Sequence, residues 1–172
     1  MLDYLDENGL ECSPCCATDP AVPVVTVPVL PGWTKAAPDA FPGAWMVLLA
    51  PECELNGFTP NAVVLHGELS GRVDADQLLG AARRTSSQLP DWQEEESSHA
   101  DFLGHRSLFV RGAYNADHWM LASTTRFLIT ERAGKQYLTQ LTVTNLVEQM
   151  AALETDVMVI NLGLDIRSNA GA

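Results

Sequence analysis

Apolar and polar positions alternate along Asn61-Ala-Val-Val-Leu-His-Gly-Glu-Leu69, the period-two signature of a strand whose faces meet different surroundings. Val63, Leu65 and Leu69 fall on one face; Ala62, Val64, His66 and Glu68 fall on the other. The first reads as the core face and the second as mixed. Pro60 cannot donate to a ladder, so the strand opens beside it. The same reading predicts a β-branched strand at Val24-Val-Thr-Val27, between Pro23 and Pro28, and a buried one from Ala44 to Ala50. Three more follow over 104–112, 119–130 and 135–143, joined by short turns at Asn115-Ala-Asp117 and Arg132-Ala-Gly134. Such a succession predicts an antiparallel meander. Leu164-Asp-Ile166 reads as a last short strand.

Helical spacing marks three other stretches. Leu2 and Leu5 share one side of a short helix that Asn8-Gly9 stops. Leu78, Ala81, Ala82, Thr85 and Leu89 form a stripe, with Asp74 as cap, Gln77 returning the bond, and Leu89-Pro90 as the end. Leu146, Met150, Leu153, Val157 and Ile160 form the seam of a final helix, opened by Asn145 with Glu148 and closed by Gly163. Runs of strands broken by few helices predict an α+β fold with a mostly antiparallel sheet.

At 172 residues the chain is sized for one domain. A helix and a lead-in rich in Cys and Pro occupy 1–23, a sheet-and-helix body 24–167, and a tail 168–172. A formal charge of −12, with no run of Lys or Arg, excludes nucleic acid as a partner. No apolar run is long enough for a transmembrane segment. Met1-Leu-Asp-Tyr-Leu-Asp-Glu7 lacks the basic and apolar regions of a secretory signal. The chain as it stands is therefore expected in the cytoplasm, or in the cell envelope if an export signal is missing from it.

Asp3-Tyr-Leu5, Asn8-Gly9, Pro23, Pro28-Val-Leu-Pro-Gly-Trp33, Phe58-Thr-Pro-Asn61, Asp74-Ala-Asp-Gln-Leu-Leu79, Leu89-Pro90, Leu103-Gly104 and Gln140-Leu-Thr142 occur in an order and spacing that span nearly the whole chain. In this the sequence resembles the LpqN/LpqT lipoprotein family of actinobacterial cell envelopes. The resemblance implies a PsbP-like α/β/α sandwich, a curved antiparallel sheet with helices packed on it. It also implies a non-catalytic protein that binds a lipid or glycolipid and protein partners. The acylated Cys of a lipoprotein follows an apolar run, and none precedes Cys12, Cys15 or Cys16.

Candidate chemistry is sparse. Cys12, Cys15, Cys16 and Cys53 could serve a zinc ion, a disulfide or free thiols, the last being the default in a reducing compartment. No metal is expected, because Cys53 stands alone and the four histidines show no short ligand spacing. His66 and Glu68 share a strand face suited to a general base, the weakest of the functional readings. Gly67-Glu-Leu-Ser70-Gly71 lacks the spacing of a nucleophile elbow, and no phosphate-cradling or dinucleotide loop is present, so no cofactor is expected. Glu94-Glu-Glu96 reads as a solvated run.

One wider pattern remains. Parity groups His105 and Ser107 with Arg111, Thr124 with Arg126, and Gln140 with Thr142. If these sets align with His66 and Glu68, they make a polar surface opposite the helix-covered core. Arg111 and Arg126 would take a head group there, and Trp33, Trp45 and Trp119 would wall an apolar tail. The alternative is a protein-interaction module with no small-molecule ligand.

Overall fold

The computed structural model describes residues 1–167, so the expected tail at 168–172 lies outside the described residues. Helix α1 (Leu2–Glu7) leads into β1 (Cys12–Pro14), β2 (Val24–Thr26), β3 (Thr34–Lys35), β4 (Met46–Leu49) and β5 (Asn61–Leu69). Helix α2 (Ala75–Ser86) follows, then β6 (Gln93–Ser98), β7 (Arg106–Ala116), β8 (Trp119–Arg132), β9 (Lys135–Leu146), α3 (Met150–Leu162) and β10 (Asp165–Arg167). An eight-stranded sheet runs β3-β4-β5-β9-β8-β7-β6, with β1 alongside the end of β5 that β4 leaves free. Every named pairing is antiparallel, and β7, β8 and β9 form the meander. β2 and β10 make a separate two-stranded ribbon.

Helices cover both faces of the sheet, giving the α/β/α sandwich. Beneath α3, the residues Leu153, Val157 and Ile160 meet Ala62, Val64, Leu128, Leu141 and Val143, together with Val25 of the ribbon. On the reverse, Leu5 of α1 and Leu78, Leu79 and Ala82 of α2 meet Leu69, Leu108, Val110, Phe127 and Leu138. The expectation of a single core face on β5 is thereby corrected. Ala62 and Val64, assigned to the mixed face, are sealed under α3, whereas Leu65 is exposed. Leu69 is buried, but on the reverse side from Val64.

Local chemistry explains the ends. Asp74 caps α2 by accepting from the Asp76 and Gln77 backbone N–H groups at 2.9 and 3.1 Å, and the Gln77 amide returns to its carboxylate rather than to its backbone. Leu89 lies beyond the helix and is exposed. At α3 the expected Asn145 and Glu148 cap is replaced: β9 runs on to Leu146, whose N–H donates to Gln149 Oε1 at 3.1 Å. Glu94-Glu-Glu96 is not a loose run but part of β6, an edge strand bulged between Glu94 and Glu96. Acidic side chains and a bulge are devices that discourage edge-to-edge pairing. Cys12–Pro14, within the Cys- and Pro-rich lead-in, pairs with β5 because Gly67 lets it approach: a Cβ there would lie 2.5 Å from Cys12 Sγ.

Candidate functional site

Strand register places Arg111, Arg126 and His66 on one face: Arg111 pairs with Thr124, Arg126 with Leu141, and His66 with Thr139. That face is the one α3 covers, not the reverse of the core. Arg111 Nη1 and Nη2 donate to the two Glu154 carboxylate oxygens at 2.7 and 2.6 Å, and its Nε lies 3.1 Å from Glu95. Arg126 is buried, donates from Nε to Asn161 Oδ1 at 2.9 Å, and stacks its guanidinium 4.0 Å from the Phe102 centroid and 5.1 Å from that of Phe109. Both arginines therefore tie α3 to the sheet. Gln140 and Thr142 were expected beside them, but register turns them to the opposite face with Leu65 and Phe127.

His66 is sealed between aromatic rings, stacked on Tyr137 at 5.6 Å and met edge-on by Trp45 at 5.1 Å. Its Nδ1 lies 2.9 Å from Thr139 Oγ1, and burial pushes its pKa down to about 4. Glu68 turns instead to Lys135, 2.8 Å away. The two share a face but have separate partners. The tryptophans do not converge either. Trp33 is buried and donates to Asp156 Oδ2, Trp45 donates to the Val25 carbonyl, and Trp119 sits against Phe58 and His118, donating to the Asn56 carbonyl. All four cysteines are free thiols, and no group of three or more His, Cys, Asp and Glu is placed to hold a metal among the described residues.

The reverse face is different. α1 and α2 cover only part of it, leaving two adjoining cavities that share Met1 and Gln140 as walls. One, of about 200 Å³, lies between Ala82, Thr85 and Ser86 of α2 and a floor of Ser123, Thr125, Phe127, Gln140 and Thr142. The other, of about 170 Å³, is bounded by Cys12, Pro14, Gly43, Leu65, Gly67 and Leu138. Each alone is small for a ligand site, and only together do they enter the usual range above ~300 Å³. On the floor, Gln140 Nε2 donates to Thr142 Oγ1 at 3.1 Å, and Thr142 Oγ1 lies 3.1 Å from Thr125 Oγ1. No Lys, Arg, Asp or Glu side chain lines either cavity. The arrangement can exchange hydrogen bonds with neutral hydroxyls at one end and take hydrocarbon at the other.

The family model described as "Probable lipoprotein LpqN" matches residues 1–167. The chain belongs to this family, Lpp-LpqN. The putative lipoprotein LpqT of Mycobacterium leprae is 23% identical over 164 residues, covering 93% of this chain and 72% of that protein. The proline-rich 28 kDa antigen homolog of the same organism is 29% identical over 128 residues, covering 74% of this chain. The chain spans about half the length of the proline-rich antigens it matches. The crystal structure of LpqN of Mycobacterium tuberculosis, a protein described as involved in cell envelope biogenesis, superposes with a TM-score of 0.85 at 20% identity over 96% of both chains. That likeness is one of fold.

Within this Lpp-LpqN chain, the furrow was only half visible beforehand. Gln140 and Thr142 stood out as a polar alternation in a buried strand; Ser123 and Thr125 carry the same signal on β8. Leu65 gave none, because an apolar residue that faces a furrow looks like one that faces a core.

Proposed function

We propose that the chain is a non-catalytic binding protein of the lipoprotein type its family name describes, and that the furrow beside α1 and α2 holds a neutral amphipathic molecule of the glycolipid class. The observation that carries this reading is the furrow itself, hydroxyl-floored at Thr125 and Thr142, carbon-walled at Leu65 and Leu138, and lined by no Lys, Arg, Asp or Glu side chain. Hydroxyls and a side-chain amide suit a sugar, which needs many modest hydrogen bonds and no counter-charge. The arginines assigned earlier to a head group are engaged with Glu154 and Asn161, and the Met1 ammonium at the furrow wall already donates to Thr85 Oγ1 and the Ala81 carbonyl.

Dodecyl maltoside, below its micelle-forming concentration, serves as a probe with a neutral sugar and an apolar chain. Native mass spectrometry should show one retained molecule per chain, and Leu65→Asp should weaken retention at least about tenfold by placing a charge in the carbon-walled half. Decanoate, which has a charged head and no sugar, should not be retained. Absence of any dodecyl maltoside complex, or equal retention by Leu65→Asp, would overturn the reading.

A further inference from the structure

The two ends of the sheet differ in charge. Arg72, Arg106, Arg132 and Lys135 gather where β5 ends, β7 begins and β8 turns into β9. The other end is built from 50–61, 112–125 and 136–150, and these stretches contain none of the ten basic residues. Glu52, Glu54, Asp117 and Glu148 are exposed there. Between the three segments opens a groove of about 380 Å³, walled by Trp119, Met120, Leu146 and Val147 and bordered by Asn56, His118 and Glu148. It shares no residue with the furrow. Asn56 sets its geometry. Asn56-Gly57 is the two-residue turn between Leu55 and Phe58, with φ of 52° and 76°, the left-handed pair that Asn-Gly favours in a tight hairpin. Its backbone carbonyl accepts from Trp119 Nε1 at 3.1 Å, and its side-chain amide donates to Glu148 Oε1 at 2.8 Å. One residue thereby holds an indole and a carboxylate on the same groove, from positions 63 and 92 residues along the chain. No Lys or Arg pairs with that carboxylate among the described residues.

We propose that this groove docks an arginine side chain of a partner protein. Charge complementarity selects the sign: an unpaired carboxylate, at the cation-free end of a chain of net charge −12, draws a cation and turns anions away. The ring selects a cation that can stack, since indole is the best aromatic face for one. Phe58 meets the Trp119 indole edge-on at 5.4 Å without reaching the groove, and exposed His118 lies 4.2 Å from it. Apolar walls select a cation on a hydrocarbon stem, which would lie along Met120 and Val147. The guanidinium of arginine is planar, so it can lie against the indole while its N–H groups reach Glu148; an ammonium offers only a point charge. Leu55 and Met120, 39% and 47% exposed, add apolar surface at the rim for the partner around that side chain. An arginine ringed by such contacts is a common anchor of protein interfaces.

An isolated arginine lacks the rest of that partner. It keeps the stacking and the pairing with Glu148 but none of the rim contacts, so its own affinity falls on the order of 5 mM.

Nα-acetyl-arginine amide, titrated to about 50 mM at constant ionic strength, is the probe. The readout is the Trp119 indole N–H resonance in the NMR spectrum, identified among the four tryptophans by its loss in Trp119→Phe. That resonance should shift saturably. Nα-acetyl-citrulline amide, which has the same shape and no charge, should leave it unmoved, and Nα-acetyl-lysine amide should bind more weakly. Glu148→Gln keeps an acceptor for Asn56, so the other indole resonances should stay in place while half-saturation rises at least about fivefold. Asp39→Asn removes an exposed carboxylate elsewhere and should change nothing. No saturable shift, an equal response to citrulline or to lysine, a Glu148→Gln protein that binds as the parent does, or equal weakening by both variants would each overturn the proposal.

Discussion

Val64 and Leu65 are neighbours on β5, yet Val64 is 1% exposed beneath α3 while Leu65 is 41% exposed at the furrow. The contrast extends across the sheet. On the α3 face, Arg111, Arg126, His66 Nδ1 and Trp33 each engage a specific protein partner, while His66 Nε2 and Asn161 Nδ2 are buried with none among the described residues. On the reverse, the Gln140, Thr142 and Thr125 side chains bond to one another and line a cavity. The sheet spends one face on holding itself together and leaves part of the other available. Buried polar groups locked by good partners make a site rigid, whereas hydroxyls around a cavity keep spare hydrogen-bonding capacity for a ligand.

The largest test of this difference uses one substitution on both sides of the strand. Val64→Asp puts an unpaired carboxylate into a closed apolar layer, and it should cost at least ~4 kcal/mol and leave little folded protein. Leu65→Asp, one residue on, should cost under about 1 kcal/mol by urea denaturation, because its carboxylate can reach water. Similar losses from the two variants would mean that the furrow is as closed as the α3 face, and the comparison would fail.

The fold was largely legible in the sequence because its signals are local. Pro60 set the start of β5, Asp74 the start of α2, and the tight turns the meander. What alternation cannot reveal is which helix covers which face. A strand buried on both sides carries apolar residues at both parities, so Ala62 and Val64 were assigned to the wrong layer. The same ambiguity misplaced the arginines. Arg111 and Arg126 share a face, as parity requires, but their role depends on Glu154 and Asn161, which are 43 and 35 residues away. β6 was missed because Glu94-Glu-Glu96 has no apolar face to show a period; its pairing with β7 comes from the sheet edge, not from its own composition.

An intermediate effect should come from acid, and it falls on the sealed face alone. Burial lowers the His66 pKa from 6.5 to about 4. Above about pH 6.5 the ring is neutral in the folded and unfolded chain alike, so it adds no pH dependence. As the pH drops, the unfolded chain takes up the proton first, and the folded chain refuses it until near pH 4. Stability is therefore lost across that window, by up to ~3 kcal/mol from this one group. His66→Gln removes the titration while keeping a side chain able to bond Thr139. Between pH 7 and 4.5 the parent protein should lose about 2 kcal/mol more than the variant in urea denaturation. Equal losses would show that the ring is not sealed between Trp45 and Tyr137.

The smallest effect belongs to the rim of the same face, where sealing gives way to solvent. Arg111 and Glu154 form a two-pronged pair, but the side chains are 17% and 47% exposed, so water and salt weaken it. The hydrogen bond from Arg111 holds the Glu154 carboxyl below its usual value of 4.5. A depressed carboxyl stabilises the fold above that value, and the contribution disappears as pH falls through the folded pKa. Glu154→Gln should accordingly cost about 0.5–1 kcal/mol at pH 7, less at high salt, and progressively less as the pH falls below 4.5. Glu95 remains beside Arg111 and keeps the guanidinium from being stranded, which limits the loss further. A cost above about 2 kcal/mol that persists in salt would place this pair inside the seal with Arg126 instead of at its edge.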